Sequence, residues 1–123
     1  MLEGSSAYTA VDREKTTMKR GDLVITPSWG WHEHGNDGDH PTIWLDGLDI
    51  PLVQFLDAIF AEPYEDNTNQ PLPKPEGDSI AQYGSGLAPV DKPFDTLSSP
   101  IFNYSYSATR DALEKMRRND KWD

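Results

Sequence analysis

Seven of the ten prolines in this 123-residue chain fall between residues 63 and 100, and Pro71, Pro73 and Pro75 occupy alternate positions. A proline has no amide hydrogen and a fixed φ, so this spacing excludes both a helix interior and a central strand. Residues 63–100 therefore read as a long irregular arm that covers or connects. The folded core must lie earlier, in residues 3–62, which hold all three histidines and three of the four tryptophans. A helix near the C-terminus is expected to end residues 63–123.

Within residues 3–62 the signals are mostly extended. Ala7–Val11 is rich in strand formers, Asp12–Lys15 reads as a polar turn, and Thr16–Met18 resumes the strand, so a hairpin is expected. Gly21-Asp22 turns the chain into the short apolar run Leu23–Thr26, which Pro27 stops. From Trp29 to Asn36 the sequence is WGWHEHGN. At the two-residue period of a strand, Gly30, His32, His34 and Asn36 share one face and Trp29, Trp31 and Glu33 the other. After a glycine-rich loop, Thr42–Asp46 reads as a further strand. Asp49 and Pro51 then open a helix whose stripe of Leu52, Phe55, Leu56, Ile59 and Phe60 should pack on the sheet. Farther on, Ser107 or Thr109 can cap a helix with a thin stripe of Leu113 and Met116, too narrow to be stable unless it docks.

Charge and composition narrow the chemistry. With 21 acidic against 11 basic side chains the formal charge is −10, which argues against nucleic acid or an anionic membrane surface as the main partner. The chain has no cysteine, so disulfides, thiolate metal sites and a cysteine nucleophile are excluded, and metal chemistry would rest on histidine and carboxylate. No apolar run approaches the roughly 20 residues of a membrane helix, and Met1–Gly4 does not begin a signal peptide, so the expected location is cytoplasmic.

The stretch GDLVITPSWGWHEHGN, residues 21–36, resembles the second conserved motif of the cupins: Gly21, Pro27, His32 and Asn36 fall at its spacing. Trp29 stands where many cupins have a glycine. Together with IWLDGLDIP, residues 43–51, the wording resembles the first cupin domain of the gentisate 1,2-dioxygenase family, which includes salicylate and 1-hydroxy-2-naphthoate dioxygenases. SPIFNYSYSATRDAL, residues 99–113, resembles that family's connector between its two cupin domains. The resemblance implies an all-β fold, a partial cupin jelly roll with one or two short helices and a long Pro-rich segment, with residues 3–62 as the latter part of a cupin domain and 63–123 as the connector arm.

It further implies Fe(II) chemistry that opens a small aromatic hydroxy acid with O2. In that family three histidines hold iron, a His-x-His pair from the first motif and one from the second. His32 matches the last, as metal ligand, and His34 and Asp46 match positions that line the substrate pocket, as catalytic groups beside the metal. His34, two residues along the same face, can act as a donor or acid-base group without binding the metal. Each residue has a plainer reading. His34 and Asp46 can serve structure alone, Asp46 as a turn carboxylate before Gly47. Trp29, Trp31 and Trp44 read as packing, and His40 as a solvated loop residue, which makes a zinc site of His32, His34 and His40 the weaker alternative. No histidine precedes His32, so the His-x-His pair is missing and Glu3-Gly4 resembles the end of the first motif. Two functions stay open: part of a ring-cleaving dioxygenase whose other ligands lie elsewhere, or a non-catalytic binding or assembly module. The absent strands leave open edges, and a homo-oligomer is expected.

Overall fold

The computed structural model describes residues 1–65, 68–84 and 97–119. Its centre is a three-stranded antiparallel sheet of β1 (Ala7–Val11), β2 (Glu14–Thr17) and β4 (His32–Asn36), in the order β2-β1-β4. A second sheet pairs β3 (Leu23–Val24) with β5 (Asn103–Tyr104). Three helices complete the described residues: α1 (Ile50–Phe55), α2 (Asp78–Tyr83) and α3 (Tyr106–Asn119). The fold is the strand-based partial cupin expected, with three helices where one or two were expected, and α3 is not short.

The expected hairpin forms, but its turn is tighter than the four polar residues suggested. Asp12 and Arg13 have φ of 44° and 70°, the two left-handed residues of a two-residue turn that matches strand twist. Glu14 and Lys15 are thereby drawn into β2, opposite Val11 and Ala10. Beside that turn, the hydrogen bond from Lys15 to Asp37 holds the lysine ammonium above its ordinary range.

Gly21 makes the expected turn into β3. Its φ is 85°, and a Cβ there would meet the Tyr106 ring at 2.9 Å, so glycine is required twice over. The pairing of β3 with β5 is extended by Ile25 donating to the Phe102 carbonyl at 2.9 Å, and Asp22 accepts from the Tyr106 amide at 2.9 Å. The segment 101–106 thus closes back on the strand that leads to the histidines.

Thr42–Asp46 does not form the expected strand. Its ladder is a single bridge between Ile43 and Glu3. The apolar helix also differs from expectation: α1 ends at Phe55, with Asp57 in the left-handed region at φ 53°, and buries none of its residues. Phe55 is 85% exposed and Phe60 73%, so the stripe that should pack on the sheet faces solvent. The buried apolar residues are Ala7, Ala10, Val11, Met18 and Phe102 among the described residues.

The described part of the Pro-rich arm is ordered against the hairpin. Gln70 is buried, accepts from the Arg13 amide at 2.9 Å and donates to the Ala10 carbonyl at 3.3 Å. Lys74 forms a parallel bridge with Glu14, and the Glu76 carboxylate accepts from the Thr17 amide at 2.6 Å. Together they occupy the edge of β2 that would otherwise be free to pair. After Gly77 (φ 84°) the chain enters α2, a helix the proline content concealed. Glu14, 2% exposed, accepts from the Ser79 amide at 2.9 Å and its hydroxyl at 3.0 Å, fixing α2 to β2. Residues 85–96 of the arm lie outside the described residues.

The last helix is capped by neither Ser107 nor Thr109. Ser105 accepts from the Ala108 amide at 3.2 Å, two residues before the first of the expected caps. Its exposed face carries Arg110–Glu114 and Lys115–Asp111 pairs at i,i+4, and Leu113 and Met116 are exposed.

Candidate functional site

The sheet register positions the histidines. In the β1–β4 ladder Val11 stands opposite His32 and Thr9 opposite His34, so both histidines project from the face that carries Thr9, Val11, Glu14 and Thr16. On the other face Tyr8 lies over Gly35, and the Lys15 ammonium sits 4.4 Å above the Tyr8 ring. The strand begins at His32 and not at Trp29, because Trp29 adopts φ 62° and breaks the ladder.

A cavity of about 360 Å³ lies on the histidine face. It is lined by His32, His34 and Asp46, the three residues singled out from sequence, together with Thr9, Met18 and Trp44 among others. Asp46 reaches it from the extended segment after the glycine-rich loop. His40 does not line it; its carbonyl accepts from Asn36 Nδ2 at 2.7 Å, and Asn36 Oδ1 accepts from the Gly38 amide at 2.9 Å. Asn36 therefore works in closing the loop behind the strand.

Each ring has one nitrogen occupied. His32 Nδ1 donates to the Gly30 carbonyl at 3.1 Å, since a carbonyl can only accept. His34 Nδ1 is hydrogen-bonded to Thr9 Oγ1 at 2.9 Å, and Thr9 is 2% exposed. The two rings meet edge to face with centroids 5.9 Å apart, and Trp44 is tilted against His34 at 5.7 Å. Trp29 is exposed and contacts Phe60 at 4.9 Å, and Trp31 meets Tyr64 edge-on at 5.1 Å, so neither sits in a core. Thr9 is the site residue that local sequence reading missed: its role comes from a partner 25 positions away.

The donor set limits what the cavity can hold. A carbonyl on Nδ1 is the outer support that metal-binding histidines use, and it leaves the His32 Nε2 lone pair free. Among the described residues, however, no three His, Asp or Glu side chains are grouped so as to hold a metal ion. The residues present do not fit a complete iron centre. They offer one well-supported imidazole, a second imidazole beside it and a carboxylate across the cavity.

Comparison with known proteins bears on the same residues. A cupin domain family matches residues 1–49. The chain is 51% identical over 123 residues to gentisate 1,2 dioxygenase 1 of Aquipseudomonas alcaligenes, covering 100% of this chain and 35% of that protein. It is 44% identical over 115 residues to a gentisate 1,2-dioxygenase of a Streptomyces species, covering 92% and 32%. Among solved structures, a salicylate 1,2-dioxygenase variant from Pseudoaminobacter salicylatoxidans in complex with gentisate superposes with a TM-score of 0.80 at 36% identity, over 92% of this chain and 32% of that one. The chain thus spans about a third of the length of these relatives.

Proposed function

We propose that the chain, similar to gentisate 1,2-dioxygenases over about a third of their length and matched by a cupin domain family over residues 1–49, forms part of a ring-cleaving dioxygenase centre. The substrate class is a small hydroxylated aromatic carboxylic acid, with O2 as co-substrate and Fe(II) as the metal. The observation that carries this reading is the convergence of His32, His34 and Asp46 on one cavity in a chain 51% identical to such an enzyme.

In this reading His32 gives one imidazole to the metal, and the Gly30 carbonyl holds that ring in place. His34 and Asp46 face the organic substrate as hydrogen-bonding groups, which orients a hydroxy acid in the cavity. The other metal ligands come from outside the described residues. The proposed location is the cytoplasm, without nucleic acid or membrane as partner; the charge of −10 disfavours a polyanionic partner, and among the described residues no helix is long and apolar enough to cross a membrane. It assembles with further copies of itself through the apolar surface around α1.

A second reading, a non-catalytic binding or assembly module, is favoured by the incomplete donor set and the uncovered α1 stripe. The two divide in one assay, run on this chain alone and on this chain set in place of the matching part of the Aquipseudomonas alcaligenes relative. Fe(II) and gentisate are added anaerobically, air is admitted, and near-ultraviolet absorbance of the ring-opened product is followed with metal content. Product from the joined protein supports the dioxygenase reading, and none from a folded joined protein supports the binding module. The chain alone is expected to hold far less than one iron and to make no product. Stoichiometric iron with product would show that the donor set is complete after all.

A further inference from the structure

The two cavity histidines differ in what holds them, and the difference fixes which atom each presents. His32 Nδ1 faces the Gly30 carbonyl at 3.1 Å, an acceptor without a hydrogen. His32 must therefore carry its proton on Nδ1, and Nε2 is left with a lone pair. His34 Nδ1 faces Thr9 Oγ1 at 2.9 Å, a group able to donate or accept. The Thr9 hydroxyl is buried and its single hydrogen needs an acceptor. Two are in reach: the His34 ring nitrogen at 2.9 Å and the Met18 thioether sulfur at 3.7 Å. A thioether is a weak acceptor and an imidazole nitrogen a strong one.

We propose that Thr9 is a positioning residue that donates its hydroxyl hydrogen to His34 Nδ1, so that His34 carries Nε2–H as a fixed donor while His32, two residues away, is held in the opposite tautomer with a free Nε2 lone pair. One strand face then presents a Lewis base and a hydrogen-bond donor side by side. The pair suits a ligand that needs both, an anionic oxygen next to a cation. The ladder explains why the device is robust. Thr9 and His34 are direct cross-strand partners, so the hydroxyl meets the ring without any loop to order.

What the tautomers are used for rests on the dioxygenase reading, but their existence does not. The test is therefore made on the metal-free chain, with no substrate. Nitrogen-15 labelled histidine is examined by long-range proton–nitrogen correlation at one pH, well above the ordinary imidazole range, with each ring assigned from its own His→Gln variant. The expected result is His32 protonated on Nδ1 and His34 on Nε2. Thr9→Val should move the His34 Nδ1 resonance toward that of a free imidazole, and Thr9→Ser should keep it at the wild-type position. Met18→Leu should leave the His34 pattern unchanged and stands in if Thr9→Val does not fold. His34 protonated on Nδ1 in the wild type, a His34 pattern indifferent to Thr9→Val in a folded chain, or a tautomer change in Met18→Leu would each overturn the proposal. A failed ring-opening assay would leave it standing.

Discussion

Thr9 stands directly across from His34 in the β1–β4 ladder, and Tyr8, its neighbour, stands across from Gly35. The two pairs divide the strand's faces between chemistry and packing. Any side chain at position 35 would run into the Tyr8 ring, so Gly35→Ala should cost about 1–3 kcal/mol in urea denaturation, the usual penalty for forcing extra volume into a packed contact. It should leave the His34–Thr9 pair intact, because that pair lies on the opposite face. Lys15 gives a pH-dependent prediction. Its ammonium is held above the ordinary range by the hydrogen bond to Asp37, so its stabilising effect is fully present below the unfolded lysine value of about 10.4 and is lost as pH rises beyond it. The melting difference between the wild type and Lys15→Met should thus be flat through neutral pH and disappear only in strong alkali. His32 was singled out from sequence because, with Gly21, Pro27 and Asn36, it matches the spacing of the cupin motif that the stretch resembles. It could not single out Thr9, since a threonine in a strand gains its meaning from a register set between residues far apart in the chain.

At the level of elements, the hairpin, the β3 turn and the histidine strand were legible because each is announced by alternation and by a local turn residue. The failures have specific causes. Glu14 looked like part of a turn because a buried carboxylate in a strand has no local signature; it is buried because Ser79, 65 positions later, supplies two donors. α2 was hidden because the prolines colour the whole arm, although residues 77–84 contain none. Thr42–Asp46 has a strand's composition but little partner, as Glu3 supplies a single bridge. The link from Glu14 to Ser79 makes the arm's attachment testable. Glu14→Ala leaves the buried Ser79 amide and hydroxyl without their acceptor, a loss of about 1–3 kcal/mol. Limited proteolysis should then cut residues 68–84 well before the hairpin, whereas in the wild type the arm and hairpin should resist together.

For the whole molecule, the decisive feature is a small buried core beside a large uncovered stripe. Leu52, Phe55, Leu56, Ile59 and Phe60 run along α1 and the segment after it, all exposed, and patches of this kind are usually covered by another surface. Light scattering across a concentration series should show association, and Phe55→Asp should reduce it; a monodisperse monomer at every concentration would contradict the expectation. The same incompleteness applies to the site, where one supported imidazole faces a cavity without two further ligands among the described residues. The central claim is that His32 is this chain's contribution to a metal centre completed by other polypeptide. It is tested most directly by a chimera in which this chain replaces the matching 35% of the Aquipseudomonas alcaligenes relative. The chimera is expected to bind iron and open gentisate, with both lost in His32→Ala and iron binding kept in His34→Gln. A folded chimera that binds no iron, or one that still opens gentisate after His32→Ala, would contradict the account.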